Sequence, residues 1–451
     1  MNLPEVFRKQ MREILGPAYP SFVKAIAEPP RTSIRFNPLK NFNQKETYDG
    51  VKWNSDGVFL KERPIFTLDP VFHAGGYYVQ EASSMFLAEA VRQCLDLNQQ
   101  LRVLDLCAAP GGKSTLLASI ISPESFLLAN EVIRSRYNTL KYNLRKWGYQ
   151  NTHSSMHDSK DFSSLGLFFD LVVVDAPCSG EGLFRKDEKA ISEWSGSHVQ
   201  HCAARQKRIL ANAVDCLKPG GVLIYCTCTY NHQENSYNAE WLAEECSLDI
   251  ISLQLKPDWN ITNVNPGYQF YPHKTEGEGF YICCFSKNKE QGTKNREQRT
   301  KSRDGYEWLT KKEKHLVEGW LKEAEEFHFY KTVKGKVYAL LNNQTELASQ
   351  LKLKLKNLET GIPIGQLKND FFIPSPELAL STSINPHILY LDFSKEQALR
   401  YLKKENFPLD NYRDSLAMVR YEGLNLGWIK GLKNRFNNYY PMEWRIRMEV
   451  K

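Results

Sequence analysis

Short apolar runs alternate with amphipathic ones from about Leu101 onward. RVLDL (102–106), FLLANE (126–131), FDLVVVD (169–175) and GVLIYCTC (221–228) are brief, rich in aliphatic residues and bounded by turn-forming or acidic residues, as buried strands are. Between the second and third lies RSRYNTLKYNLRKWG (134–148), which has the spacing of a helix. Such alternation predicts an α/β fold with a parallel, doubly wound sheet of Rossmann-like type. SSMHDSKDF (154–162) follows a further possible strand.

The flanks read differently. The first forty residues predict one or two amphipathic helices and then a strand in PRTSIRFNPLK, where Arg31, Arg35 and Lys40 surround Ile34 and Phe36. This basic edge is either a solvated strand or an RNA contact. GGYYVQEASSMFLAEAVRQCL (75–95) predicts a loop opening a helix that introduces the next domain. After Phe285 the composition changes to SKNKEQGTKNREQRTKSRDG (286–305), without apolar period, an exposed linker. Short strands follow in KVYALL and HILYLDF, and the chain ends in an aromatic and basic stretch. The expected units are an N-terminal RNA-contacting segment (1–70), a catalytic domain (71–286), a basic linker (287–305), a small α/β domain (306–380) and an RNA-binding domain (381–451).

VLDLCAAPGGKSTLLAS (103–119) places Asp105 in a strand and follows it with a small-residue turn that lets backbone approach a ligand. A phosphate-binding P-loop is excluded, because Cys107 stands where its first glycine is required, and adjacent Gly111 and Gly112 do not make a dinucleotide fingerprint. A nucleoside fits such a turn. Glu131, ending the next strand, either accepts the ribose hydroxyls or caps the following helix. Asp158 either accepts from an adenine amino group or stabilises a turn.

Asp175 closes a buried strand and Cys178 lies on the loop after it, while Cys226 and Cys228 close GVLIYCTC. All are expected at the carboxyl ends of one sheet, with thiols from two strand ends converging on the cleft. Period two puts Cys226 and Cys228 on one face. A thiol here has a specific chemical use. C5 of cytosine is a poor nucleophile, but a thiolate added at C6 turns the ring into an enamine that attacks a methyl sulfonium. Asp175 is placed to hydrogen-bond near N3. Without CxxC or paired His spacing, no metal site is expected.

Composition narrows the setting. In 451 residues, 42% are hydrophobic and 25% charged, and no stretch approaches a membrane span. Ten cysteines are too dilute for a disulfide scaffold, and the N-terminus lacks a secretory pattern, so a cytoplasmic protein with free thiols is expected. The net charge of +7 favours an anionic partner, RNA being the first candidate.

YYVQEASSM, DLCAAPGGK, DAPCSGEG, FRKD, LKPGG, CTCTY and HKTEGEGFYICCF together, from Tyr77 to Phe285, resemble the Nop2/Sun (RsmB/RsmF-type) RNA 5-methylcytosine methyltransferases, most closely the bacterial small-subunit methyltransferase F branch. The resemblance implies S-adenosylmethionine as cofactor and small-subunit (16S) rRNA or the 30S subunit as partner, with transfer RNA methylation or an idle assembly factor as alternatives. It implies a monomer. It also implies Cys228, in the TC[ST] motif, as nucleophile, and Cys178 as the thiol that helps release the methylated RNA. Cys107, Ala108, Ala109, Pro110, Gly111, Gly112, Lys113, Glu131, Asp158 and Asp175 are implied to contact the cofactor, with Asp175 also near the cytosine. Cys226 departs from the family pattern and leaves Cys178 as runner-up nucleophile. For 306–380 a ferredoxin-like fold is expected, and for the C-terminal stretch a PUA-like module with Trp428, Lys430, Lys433, Arg435 and Tyr439 on the RNA.

Overall fold

The computed structural model describes residues 3–43, 47–289, 305–369, 371–409, 415–432 and 435–448. Most of the linker therefore lies outside the described residues, as does Lys433.

Five parallel strands form the centre of a ten-stranded sheet, in the spatial order Thr152–Ser155, Phe126–Asn130, Arg102–Asp105, Phe169–Asp175, Leu217–Thr227. Residues alternate between two buried faces. Val103, Leu127, Val173 and Ile224 pack into one core, and Leu104, Leu128, Val172 and Leu223 into the other, which is why these runs are apolar throughout. The chain leaves the first strand, Arg102–Asp105, in one direction and returns on its other side as Phe169–Asp175. That reversal opens a cleft beyond the strands' carboxyl ends. Phe280–Lys287 closes one side antiparallel to Leu217–Thr227.

The N-terminal sheet has four antiparallel strands, ordered Asp49–Val51, Asn54–Phe59, Ser33–Phe36, Tyr77–Val79, so it draws on residues beyond 70. The expected basic edge is absent. Arg35 is wholly buried, Lys40 donates to the carbonyls of Ala74 and Lys146 at 2.8 Å each, and Arg31 is ion-paired to Asp49 and Glu276. Charge in a sequence does not reveal which cations tie segments together. The helices Glu5–Leu15 and Tyr19–Ala27 place Phe7, Met11 and Phe22 against Phe184, Trp194 and Tyr230.

Segment 306–380 runs strand, helix, two strands, helix, three strands and a short helix, and so begins with the succession of a ferredoxin-like unit. Its pairing is different: Glu307–Trp308, Phe327–Lys331, Lys336–Leu341, Ile362–Lys368 and Phe371–Pro374 form a sequential antiparallel meander. The ferredoxin-like expectation is therefore corrected. Leu358–Glu359 leaves this unit to join Thr152–Ser155 at the edge of the central sheet. There Glu359 accepts from Arg145 at 2.7 Å and Lys141 at 3.0 Å.

The last sheet pairs Tyr390–Asp392 parallel to Leu416–Tyr421, followed by antiparallel Leu424–Leu432 and Arg435–Asn438. Lys430, Arg435 and Tyr439 are exposed, but Trp428 is only 1% exposed, packs into the core and donates to Ser375 O at 2.8 Å. It is a structural residue and not a stacking platform. Among the described residues no helix is long and apolar enough to cross a membrane.

Candidate active site

After Asp105 the backbone turns through Cys107–Gly111 and enters the helix Gly112–Ile120, with Gly111 at φ +110°, a conformation open to glycine. The turn is tied to the neighbouring strand end: Ala108 N donates to Asn130 O at 2.8 Å, and Arg136 donates to Ala109 O at 2.9 Å. Asp105 is fully buried and accepts from Ser114 Oγ at 2.6 Å, and burial pushes its pKa up to about 7.

A cavity of about 350 Å³ opens in front of this turn. Cys107, Ala108, Ala109, Pro110, Gly112 and Lys113 form one wall, Tyr78, Gln80 and Ser84 another, and Asp175, Lys186, Cys228 and Phe280 a third. Lys113 Nζ lies 2.8 Å from Asp175 Oδ2. Burial works against the ammonium, but the Asp175 carboxylate outweighs it and holds Lys113 above its usual range.

Cys228 lies just past the end of Leu217–Thr227, and its Sγ is 2.9 Å from Cys178 Sγ; both cysteines are free. Cys228 lines the cavity and Cys178 stands behind it. The contact with Cys228, together with burial, pushes the Cys178 thiol pKa well up. Cys226 does not share their position. It is sealed in the core beside Ile224 and Ile282, and burial pushes its thiol pKa well up. The strand ends at Thr227, so Cys226 is covered by the core while Cys228, just beyond it, reaches the cavity.

Two buried carboxylates hold the thiol loops. Glu181 accepts from Thr229 Oγ1 at 2.6 Å, Tyr230 N at 2.8 Å, Asn231 N at 3.0 Å and, from the N-terminal helix, Gln10 Nε2 at 3.2 Å. Glu234 accepts from Ser179 N at 2.9 Å, Gln206 Nε2 at 2.8 Å and Asn231 Nδ2 at 2.7 Å. The loop after Phe169–Asp175 and the loop after Leu217–Thr227 are thereby locked together.

Three family models match the chain in succession: the N-terminal domain of 16S rRNA methyltransferase RsmF over residues 3–82, 16S rRNA methyltransferase RsmB/F over 92–286, and the methyltransferase RsmF PUA domain over 389–446. The chain belongs to the RsmB/F family. Its relatives include ribosomal RNA small subunit methyltransferase F of Cronobacter sakazakii, 35% identical over 305 residues, 63% of either chain. The protein of that name from Vibrio vulnificus is 28% identical over 98% of this chain and 97% of its own. Among solved structures, a methyltransferase homolog from Pyrococcus horikoshii is 26% identical with TM-score 0.54, covering 63% of this chain and 95% of that one. NSun6 from the same organism, solved with SFG, shares the fold at 19% identity and TM-score 0.55, over 63% of this chain and 98% of its own.

This RsmB/F-family methyltransferase uses S-adenosylmethionine, and its turn suits that cofactor. A Cβ on Gly112 would stand 3.3 Å from Tyr78 Cε1, in the space a ligand needs, and Ala108, Ala109 and Pro110 offer an apolar wall for a nucleoside. Gly111 faces away, toward Leu140. Of the two acids expected at the cofactor, Glu131 is buried, accepts from Ile133 N at 2.9 Å and pairs with Arg136 at 3.4 Å. Asp158 caps the helix Ser159–Ser163 through Lys160 N. Both stand on adjoining strand ends outside the cavity lining. Sequence reading missed Arg136, Gln206, Asn231 and Glu234, none of which sits in a motif of its own, and took Arg35 only as part of a basic strand edge. Glu181 had a signal, its place in DAPCSGEG.

Proposed function

We propose that this enzyme methylates C5 of a cytosine in small-subunit (16S) ribosomal RNA through a covalent bond from Cys228 to C6. One observation carries the reading: the Cys228 thiol lines the cavity that the glycine turn forms, 2.9 Å from a second thiol, that of Cys178. When bound, S-adenosylmethionine supplies the electrophilic methyl group. Cys107–Pro110, Gly112 and Lys113 hold it, with Gly111 shaping the turn and Glu131 and Asp158 at the neighbouring strand ends.

Cys228 attacks C6, and the Lys113–Asp175 pair hydrogen-bonds the N3 edge as electron density shifts into the ring. After C5 is methylated, water takes the C5 proton, the C–H electron pair re-forms the C5–C6 double bond, and the C6–S bond breaks to release the Cys228 thiolate. Cys178, holding its proton 2.9 Å from the departing sulfur, stabilises Cys228 as it leaves. A base inside a helix cannot reach this thiol, so the cytosine is unpaired or flipped out.

Lys430, Arg435 and Tyr439 on the C-terminal sheet carry phosphate and stacking contacts to RNA. The division of labour follows the segments: residues 1–70 brace the catalytic domain of 71–286, and 306–380 and 381–451 dock RNA beyond the linker. The enzyme acts as a monomer in the cytoplasm, on free rRNA or the 30S subunit. The test is incubation with labelled S-adenosylmethionine and, separately, small subunits, bare 16S RNA and bulk transfer RNA, followed by nucleoside analysis. 5-Methylcytosine in the ribosomal pools supports the reading. Label only in transfer RNA reassigns the substrate, and label in none leaves an RNA-binding assembly factor.

A further inference from the structure

Arg35 is wholly buried in the N-terminal sheet, yet its guanidinium faces the catalytic domain. Nε donates to Gln80 Oε1 at 2.8 Å, and Nη2 donates to Thr115 Oγ1 at 2.7 Å and to Gly112 O at 3.4 Å. The group lies flat enough on Trp147 to bring Cζ 4.4 Å from that ring's centroid. Gln80 and Gly112 line the cofactor cavity, and Thr115 is in the first turn of the helix that Gly112 begins. Gln80 in turn donates to Ser84, another lining residue, at 3.3 Å.

Among the described residues no carboxylate forms an ion pair with Arg35, although Asp56 acts on its charge from a distance, and its Nη1 is buried without a partner. Burying a cation without an ion pair is costly, and Asp56 and the Trp147 ring offset only part of that cost. Burial lowers the Arg35 pKa to about 10, which still leaves it charged at neutral pH.

We propose that Arg35 is a positioning residue for the cofactor: it fixes the Gly112 turn and the Gln80 wall, and its charge, which no ion pair neutralises, favours the carboxylate of the cofactor's methionine end in the cavity between them. The inference rests on S-adenosylmethionine being the ligand of that cavity. It also gives the N-terminal unit a role in cofactor binding.

The test is calorimetric titration of the full chain with S-adenosylhomocysteine, which has the carboxylate, and with methylthioadenosine, which lacks it, alongside RNA affinity by gel shift. Arg35→Met is expected to weaken S-adenosylhomocysteine about tenfold or more and methylthioadenosine much less, with RNA affinity unchanged. Thr115→Val, which at nearly constant shape removes the hydroxyl that accepts from Arg35 and donates to Gly112 O, is expected to weaken both ligands by about threefold and serves where Arg35→Met does not fold. Unchanged affinity for S-adenosylhomocysteine in folded Arg35→Met or Thr115→Val overturns the positioning role. Equal weakening of both ligands by Arg35→Met overturns the charge effect. Failure of the unaltered protein to bind S-adenosylhomocysteine instead overturns the cofactor reading itself.

Discussion

The two halves of the catalytic cleft are built by different means. The cofactor half is local: one strand, one turn and one helix, Arg102 to Ile120, supply a whole wall of it. The thiol half is assembled from loops fifty residues apart, and its geometry depends on buried carboxylates that touch neither sulfur. A short motif can shape a pocket for a cofactor, whereas holding two sulfurs at 2.9 Å takes a network reaching as far as Gln10.

Four changes separate these halves. The largest expected effect is that of Cys228→Ala, which lowers methylation about a thousandfold or more at unchanged RNA affinity, read by label transfer and gel shift. Retained methylation would move the nucleophile to Cys178. Cys178→Ala is expected to leave adduct formation intact and block release, so a protein–RNA species that survives denaturing gels accumulates only when S-adenosylmethionine is present. A clean gel would break the division of labour between the thiols.

Glu181→Ala removes the acceptor of several buried donors and is expected to cost about 3 kcal/mol in chemical denaturation, with Glu181→Gln costing less than half as much. Equal stability of Glu181→Ala and the parent would show that the thiol half is held some other way.

The smallest effect belongs to the cofactor half. Because burial raises the Asp105 pKa to about 7 in the folded chain, the folded state binds a proton there that the unfolded state releases near pH 4. Its contribution to stability is therefore greatest at low pH and falls as pH rises from about 4 to about 7. Asp105→Asn should remove that slope, so the parent-minus-variant difference in stability declines across this window and is flat above it. A difference that does not vary with pH would place the Asp105 pKa at its ordinary value.

The same contrast explains what could be read from the residues alone. The parallel strands, the glycine turn and the convergence of Cys178 with Cys228 follow from apolar runs and from where each motif meets a strand end. The roles of Glu234, Gln206 and Arg35 do not, since their partners lie far along the chain and a buried acid or cation looks like any surface charge until the fold encloses it. Trp428 fails for a related reason: an aromatic residue amid lysines serves a core as readily as it serves a nucleic acid. The meander of 306–380 shows the limit of element order, which does not determine strand pairing.

The short strand Leu358–Glu359 has a consequence in time. Thr152–Ser155, the outer parallel strand of the catalytic sheet, finds its last neighbour only in a segment made roughly two hundred residues later. At about 5–20 residues per second of synthesis, that edge stands open for about 10–40 s on every nascent chain. During that interval its unpaired backbone can accept a strand from another chain. Molecules cut short in the linker would keep the edge open permanently, and in a mixture with full-length chains they should be the first to aggregate, which light scattering would record.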